Sequence, residues 1–195
     1  MSRALGSLSK GLIFVISAPA GTGKTTLVRM LRDEFDCLAE SISYTTRKIR
    51  PREVEGKDYH FISLEEFHKK IADREFIEYA EVFGHHYGTS RKLVEKLQRE
   101  GKHVVLVIDT QGAMQLKKLL SAIFIFISPP NPEELKRRLH GRKSETDEVI
   151  QTRLSWAQKE IAEAKQYDYH IVNEDLKVAY DVLRSIFIAE EHKNR

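Results

Sequence analysis

The stretch Ala18-Pro-Ala-Gly-Thr-Gly-Lys24-Thr25 constrains this chain more than any other. Before it, Gly11-Leu-Ile-Phe-Val-Ile-Ser17 is an unbroken apolar run, the pattern of a strand buried on both faces. After it, Thr25 to Phe35 has Leu27, Met30 and Leu31 on one face of a helix. A strand, a glycine turn and a helix in that order can curl backbone N–H groups around an anion and aim a helix N-terminus at it. The stretch matches the phosphate-loop pattern G-x-x-x-x-G-K-[ST], except that Ala18 stands where the first glycine would be. Gly21 and Gly23 permit the curl, Lys24 reaches the β- and γ-phosphates, and Thr25 offers a hydroxyl to Mg²⁺. The candidate ATP-binding residues are therefore Ala18, Pro19, Ala20, Gly21, Thr22, Gly23, Lys24, Thr25 and Thr26. The bland alternative is an ordinary glycine-rich turn.

Beyond the loop, short apolar runs alternate with helical periodicity, which predicts an α/β chain with a parallel sheet flanked by helices. Val104 to Ile108 and Ala122 to Ile127 read as two more buried strands. Asn131-Pro132-Glu133-Glu134 starts a helix, with an N-cap, a proline at the first position and acids near the dipole. Glu145 to Gln166 reads as one long helix, and His170 to Val172 as a last strand before a C-terminal helix. Ser41 to Thr89 breaks the rhythm. It is rich in Tyr, Phe, Thr and Gly, half-alternating, with a capping box at Ser63-x-x-Glu66, and reads as a small, mostly antiparallel insertion.

Composition removes several classes. Lys plus Arg total 32 and Asp plus Glu 29, a net charge of +3 that gives no reason to expect nucleic acid as a partner. No apolar run approaches the ~20 residues of a membrane span, and the start has no h-region of a signal peptide. The single Cys37 fits a reducing, cytoplasmic setting. No obligate protein partner is evident.

Three further groups carry possible chemistry. Asp109 ends the strand Val104-Val-Leu-Val-Ile, where a carboxylate can hold Mg²⁺ beside a phosphate loop or simply cap the next helix. Arg47-Lys-Ile-Arg50-Pro-Arg52 is either solvated charge or a clamp for a second phosphate. Lys136-Arg-Arg138-Leu-His-Gly141-Arg142-Lys143, with Arg153, is either an exposed helix face or an arginine lid over a transferring phosphoryl group. His85-His86 reads as polar surface and Trp156 as packing.

Taken together, these residues closely resemble the guanylate kinase family from about Gly11 onward. The resemblance rests on the loop, Ser41-Ile-Ser43-Tyr-Thr-Thr-Arg47 with Arg50, and Glu53-Val-Glu-Gly-Lys-Asp-Tyr59. It continues through Glu75-Phe-Ile-Glu78, Tyr87-Gly88-Thr89, Ile108-Asp-Thr-Gln-Gly112, Pro129-Pro130 and Ile171-Val-Asn173. It implies a P-loop kinase core at 11–41, 90–133 and 160–195, a mixed α/β GMP-binding insertion at 42–89, an arginine lid at 134–159 and an N-terminal tail at 1–10. The implied reaction moves the γ-phosphoryl group of ATP to GMP, with dGMP as a further substrate and Mg²⁺ held by Thr25 and Asp109.

Residue by residue, the resemblance puts Ser43, Arg47, Arg50, Tyr59 and Tyr87 at the GMP phosphate. It puts Glu78 and Thr89 at the guanine edge with Gly88 beside them, Arg138, Arg142 and Arg153 in the lid, and Asn173 near adenine. Lys24, Arg47 and the lid arginines are the implied catalytic set. The chain departs from the family in two places. Val107 replaces the first carboxylate of the usual Asp-Ile-Asp strand, and Ile49 and Arg52 stand where proline or glycine is usual before Glu53. Catalytically silent interaction modules share this fold but would lack the loop or the GMP clamp. A kinase for another nucleoside monophosphate would not need an acidic reader at Glu78.

Overall fold

The computed structural model describes residues 5–51, 53–141 and 147–194. Its first elements are β1 (Ile13–Ser17), α1 (Lys24–Glu34), β2 (Leu38–Glu40), β3 (Tyr44–Thr45), β4 (His60–Phe61) and α2 (Leu64–Ala72). Next come β5 (Phe76–Val82), β6 (His85–Ser90), α3 (Arg91–Arg99), β7 (His103–Val107) and α4 (Thr110–Lys117). The chain ends with β8 (Ile123–Ser128), α5 (Pro132–His140), α6 (Asp147–Ala162), a 3₁₀ turn (Glu163–Gln166), β9 (Tyr169–Val172) and α7 (Leu176–Glu191).

The main sheet runs β2-β7-β1-β8-β9 and every pairing in it is parallel. Strand β1 lies at its centre, which is why all five of its residues are buried. Side chains alternate along a strand, so Phe14 and Ile16 join Leu27, Leu31, Leu183 and Phe187 under α1 and α7. Ile13 and Val15 face the other way, joining Val94, Leu106, Leu116 and Phe126 beneath α3 and α4. This two-sided burial holds the carboxyl ends of β1 and β7 rigidly side by side, and both the loop after Ser17 and Asp109 start there.

The insertion forms a second sheet, β4-β3-β6-β5. It is mostly antiparallel, as expected, with one exception: β3 and β4 pair in parallel across a wide loop instead of a hairpin. The capping box at Ser63 and Glu66 forms with both of its hydrogen bonds. The predicted long helix stops at Ala162 and tightens into the 3₁₀ turn before β9; residues 145 and 146 lie outside the described residues. Among the described residues, no helix is long and apolar enough to cross a membrane.

Candidate active site

A cleft of about 790 Å³ runs between the two sheets and the α6 helix, and loop residues 18–26 line it together with Ser43, Arg47, Arg50, Tyr59, Glu78, Tyr87, Asp109 and Arg153. The phosphate loop is built by glycine geometry. Gly21 and Gly23 sit at φ 93° and 90°, the left-handed region that a side chain resists. A Cβ on Gly23 would also fall 2.6 Å from the Asn173 amide nitrogen. That amide donates to the Thr22 carbonyl at 2.6 Å, and the Thr22 hydroxyl donates to the Pro19 carbonyl at 2.9 Å.

Helix α1 begins with no side-chain cap and no acid in its first turn. By contrast, Ser63, Ser90, Asp109, Asn131 and Asp175 cap α2, α3, α4, α5 and α7. A helix start left without such a carboxylate or hydroxyl keeps its positive end for an outside anion. Lys24 folds back over the loop, its Nζ 3.4 Å from the Ala18 carbonyl.

Asp109 does cap α4, accepting from the Gly112 N–H at 2.8 Å. Burial raises its pKa, while hydrogen bonds from the backbone N–H groups of Gly112 and Gln111 and the charge of Lys24 pull it down. The cap uses one of the carboxylate's lone pairs and leaves others, and both Asp109 and Thr25 line the cleft. Two hard oxygen donors of this kind suit Mg²⁺, which takes one or two protein ligands and fills its octahedron with water and phosphate. Among the described residues no group of three or more His, Cys, Asp or Glu forms a closed metal cage.

On the insertion side, Arg47 is buried and held by Glu53 through two hydrogen bonds, 3.0 Å from Nη1 and 2.7 Å from Nη2. Its guanidinium also lies 5.3 Å from the centroid of Tyr59, whose ring meets Tyr87 edge-on at 5.8 Å. The same Glu53 accepts from the Arg50 backbone N–H at 2.8 Å, so one carboxylate holds the Arg47 side chain and the Arg50 main chain. Glu53 was not expected to take this part, and nothing in its sequence position alone points to the pairing. Arg52 lies outside the described residues.

Glu78 is 5% exposed and, among the described residues, takes one hydrogen bond, from the Thr89 hydroxyl. Burial pushes its carboxyl up to about 7, the Thr89 bond opposes this, and the charge of Asp109 adds to it. Thr89 itself is fully buried and meets the cleft only through Glu78. Gly88 lies beneath the surface too, pairing with Tyr44 and Tyr79 and packed on the Phe76 ring.

The arginine-rich segment divides. Arg153 lines the cleft. Arg138 does not, because its guanidinium bridges Glu134 at 2.6 Å and the Asn173 carbonyl at 3.0 Å. Arg142 lies outside the described residues. Asn173, expected near adenine, is 3% exposed and braces the loop from behind rather than lining the cleft. Trp156, expected as packing, does pack on the Phe83 ring, and it also lines the cleft, because α6 turns that face toward the insertion. Glu160 also faces the cleft; burial raises its carboxyl to about 7, Lys24 opposes and Asp109 adds. A helical period alone does not say which face of α6 meets a cleft, so neither residue was legible.

Three comparisons bear on this geometry. The family model described as guanylate kinase matches residues 10–190. A curated guanylate kinase of Protochlamydia amoebophila is 55% identical over 188 residues, covering 96% of this chain and 95% of that one. One from Chlamydia pneumoniae is 52% identical over 183 residues, covering 93% and 89%. The crystal structure of a guanylate kinase from Anaplasma phagocytophilum superposes with a TM-score of 0.79 at 38% identity, covering 97% of this chain and 91% of that one.

Proposed function

The chain belongs to the guanylate kinase family, and from that premise we propose how its residues share the transfer of the γ-phosphoryl group of ATP to GMP. It is an ATP:GMP phosphotransferase, giving ADP and GDP. What supports the division of labour is one observation: the cleft joins an uncapped helix start carrying Lys24 to a buried carboxylate with a single hydrogen-bond donor.

The ATP phosphates enter loop 18–26, where backbone N–H groups, the α1 dipole and Lys24 offset their charge. Asn173 serves this site as the brace of the loop. Thr25 and Asp109 would hold Mg²⁺, which would supply neutralisation of the ATP phosphate charge.

The GMP phosphate sits among Ser43, Arg47, Arg50, Tyr59 and Tyr87. Glu53 fixes the Arg47 fork in advance, so the substrate does not have to order it. A guanidinium carries five N–H donors, enough to serve Glu53 and a phosphate together. The attacking oxygen belongs to a phosphate whose second pKa is near ~6, already mostly dianionic at neutral pH. No general base is needed and none is assigned. Arg153, with Arg138 once released from Glu134, faces the transferring group, and closure of the lid keeps water from accepting it. Arg142 belongs to the same lid proposal.

Glu78 reads the base. Guanine presents N1–H and the 2-amino group on one edge, matching the two oxygens of a carboxylate, with Thr89 and Gly88 supporting it from behind. Adenine has an acceptor at N1 and no 2-amino group. Transfer to dGMP and a cytoplasmic setting belong to the same proposal, the latter resting on the lone Cys37. A coupled ADP-release assay with GMP, dGMP, AMP, CMP and UMP tests the reading. Turnover confined to GMP and dGMP is expected, and comparable turnover with AMP would defeat it.

A further inference from the structure

Phe83 is a cleft residue that the mechanism leaves unused, and local physics does not account for it. Val82 pairs with His85, so Phe83 and Gly84 form a two-residue hairpin turn, at φ 52° and 74°. Turns with both central residues in the left-handed region favour Asn-Gly or Asp-Gly, because a bulky side chain there is strained. Phe83 accepts that strain while leaving 46% of its surface exposed. An aromatic ring held out from a strained turn calls for a partner elsewhere.

The partner lies across the cleft on α6. The Trp156 ring meets Phe83 at 5.3 Å between centroids, tilted by 51°. The Arg153 guanidinium lies 5.9 Å from the centre of the same phenyl ring. Residues 153 and 156 are three apart on the helix and share a face, so one ring from the insertion touches both. An aromatic face orients a guanidinium through its plane and its charge. Unlike a carboxylate, it does not compete with phosphate for the N–H donors.

We propose that Phe83 is a positioning residue: its ring clasps α6 to the GMP-binding insertion and sets Arg153 toward the transferring phosphoryl group. This rests on the reading of Arg153 as a lid arginine given above. The clasp joins the substrate-carrying hairpin directly to the lid, so occupancy of the insertion is felt by Arg153 without passing through the core.

The test uses Phe83→Asn, which keeps a residue suited to the turn and removes only the ring. Trp156 is the sole tryptophan of the chain, so its fluorescence reports the clasp without a label. In the intact enzyme the variant should show stronger acrylamide quenching of Trp156, a kcat lower by about tenfold and a KM for GMP changed by less than about twofold. Phe83→Tyr should restore both quenching and kcat. Unchanged quenching, unchanged kcat, or a change in one without the other would overturn the proposal. If Phe83→Asn does not fold, Trp156→Leu removes the other half and should lower kcat alike; no loss there would overturn the proposal too. Arg153→Ala separates the two readings. If it leaves kcat intact, the lid assignment fails, while Trp156 quenching in Phe83→Asn still reports whether the clasp exists.

Discussion

Two glutamates of this protein, each 5% exposed, sit in opposite chemical circumstances. Glu191, at the end of α7, is surrounded by donors: the Gly6 and Ser7 N–H groups at 2.7 Å each, the Ser7 hydroxyl at 2.5 Å and His103 Nε2 at 2.6 Å. His103 Nδ1 accepts from the Leu12 N–H at 3.0 Å, so its Nε2 carries the hydrogen that Glu191 receives. Burial would raise both carboxyls. At Glu191 the hydrogen bonds outweigh it and bring the group down to about 2, whereas Glu78, with one donor, stands at about 7. A saturated carboxylate ties the N-terminal segment, β7 and α7 together. An under-satisfied one at the floor of a cleft is a site for a ligand that brings donors.

The largest effect should come from removing the under-satisfied member. Glu78→Leu should lower kcat/KM for GMP by roughly 10⁴-fold, because the N1–H and 2-amino donors would be desolvated without an acceptor. Activity toward AMP should fall far less, so the ratio of the two efficiencies collapses. A retained ratio would move the discrimination elsewhere in the cleft.

Lys24→Ala comes next, with a loss of kcat on the order of 10²-fold or more and an unchanged melting temperature, since the lysine stabilises charge in the transition state and not the core. Near-normal turnover would refute the phosphate-loop assignment.

The saturated member should show the reverse pattern. Glu191→Ala strands the Gly6, Ser7 and His103 donors and should cost about 3 kcal/mol of stability with kcat nearly intact, measured by urea unfolding and assay of the same sample. The two groups also slope oppositely with pH. The folded pKa of Glu191 lies below the ordinary 4.5, so its contribution is present above that value and lost as pH falls toward 2. The folded pKa of Glu78 lies above 4.5, so its contribution is present below that value and lost as pH rises through about 7. A Glu191 variant that lost stability equally at pH 3 and pH 7 would break the comparison.

The contrast also shows what a sequence can display. The loop was legible because strand burial, glycines at 21 and 23 and the helix that follows are local signals, and all of them form. The central strands were legible as apolar runs, and the start of α5 from Asn131 and Pro132. Strand β2 has three residues and no periodicity, so nothing in Leu38–Glu40 announces it. The parallel pairing of β3 with β4 depends on a loop closing over distance, which local pattern does not encode. The donors to Glu191 come from 88 to 185 residues away along the chain, beyond any spacing rule. Glu78 alone looked like the polar face of a strand. Its importance came from the family resemblance, and its burial came only from the fold.

The central claim is that the ionisation of Glu78 governs the capture of guanine, and the pH dependence of KM for GMP tests it most directly. With a carboxyl near 7, the ionised, binding-competent fraction rises about tenfold between pH 6 and pH 8, and KM should fall by a similar factor. Glu78→Gln removes that titration, while the ionisation of the GMP phosphate near ~6 stays common to both enzymes. The account predicts that the ratio of the two KM values, variant over wild type, climbs about tenfold across this range with a midpoint near 7. A ratio that stays flat from pH 6 to pH 8 would contradict it.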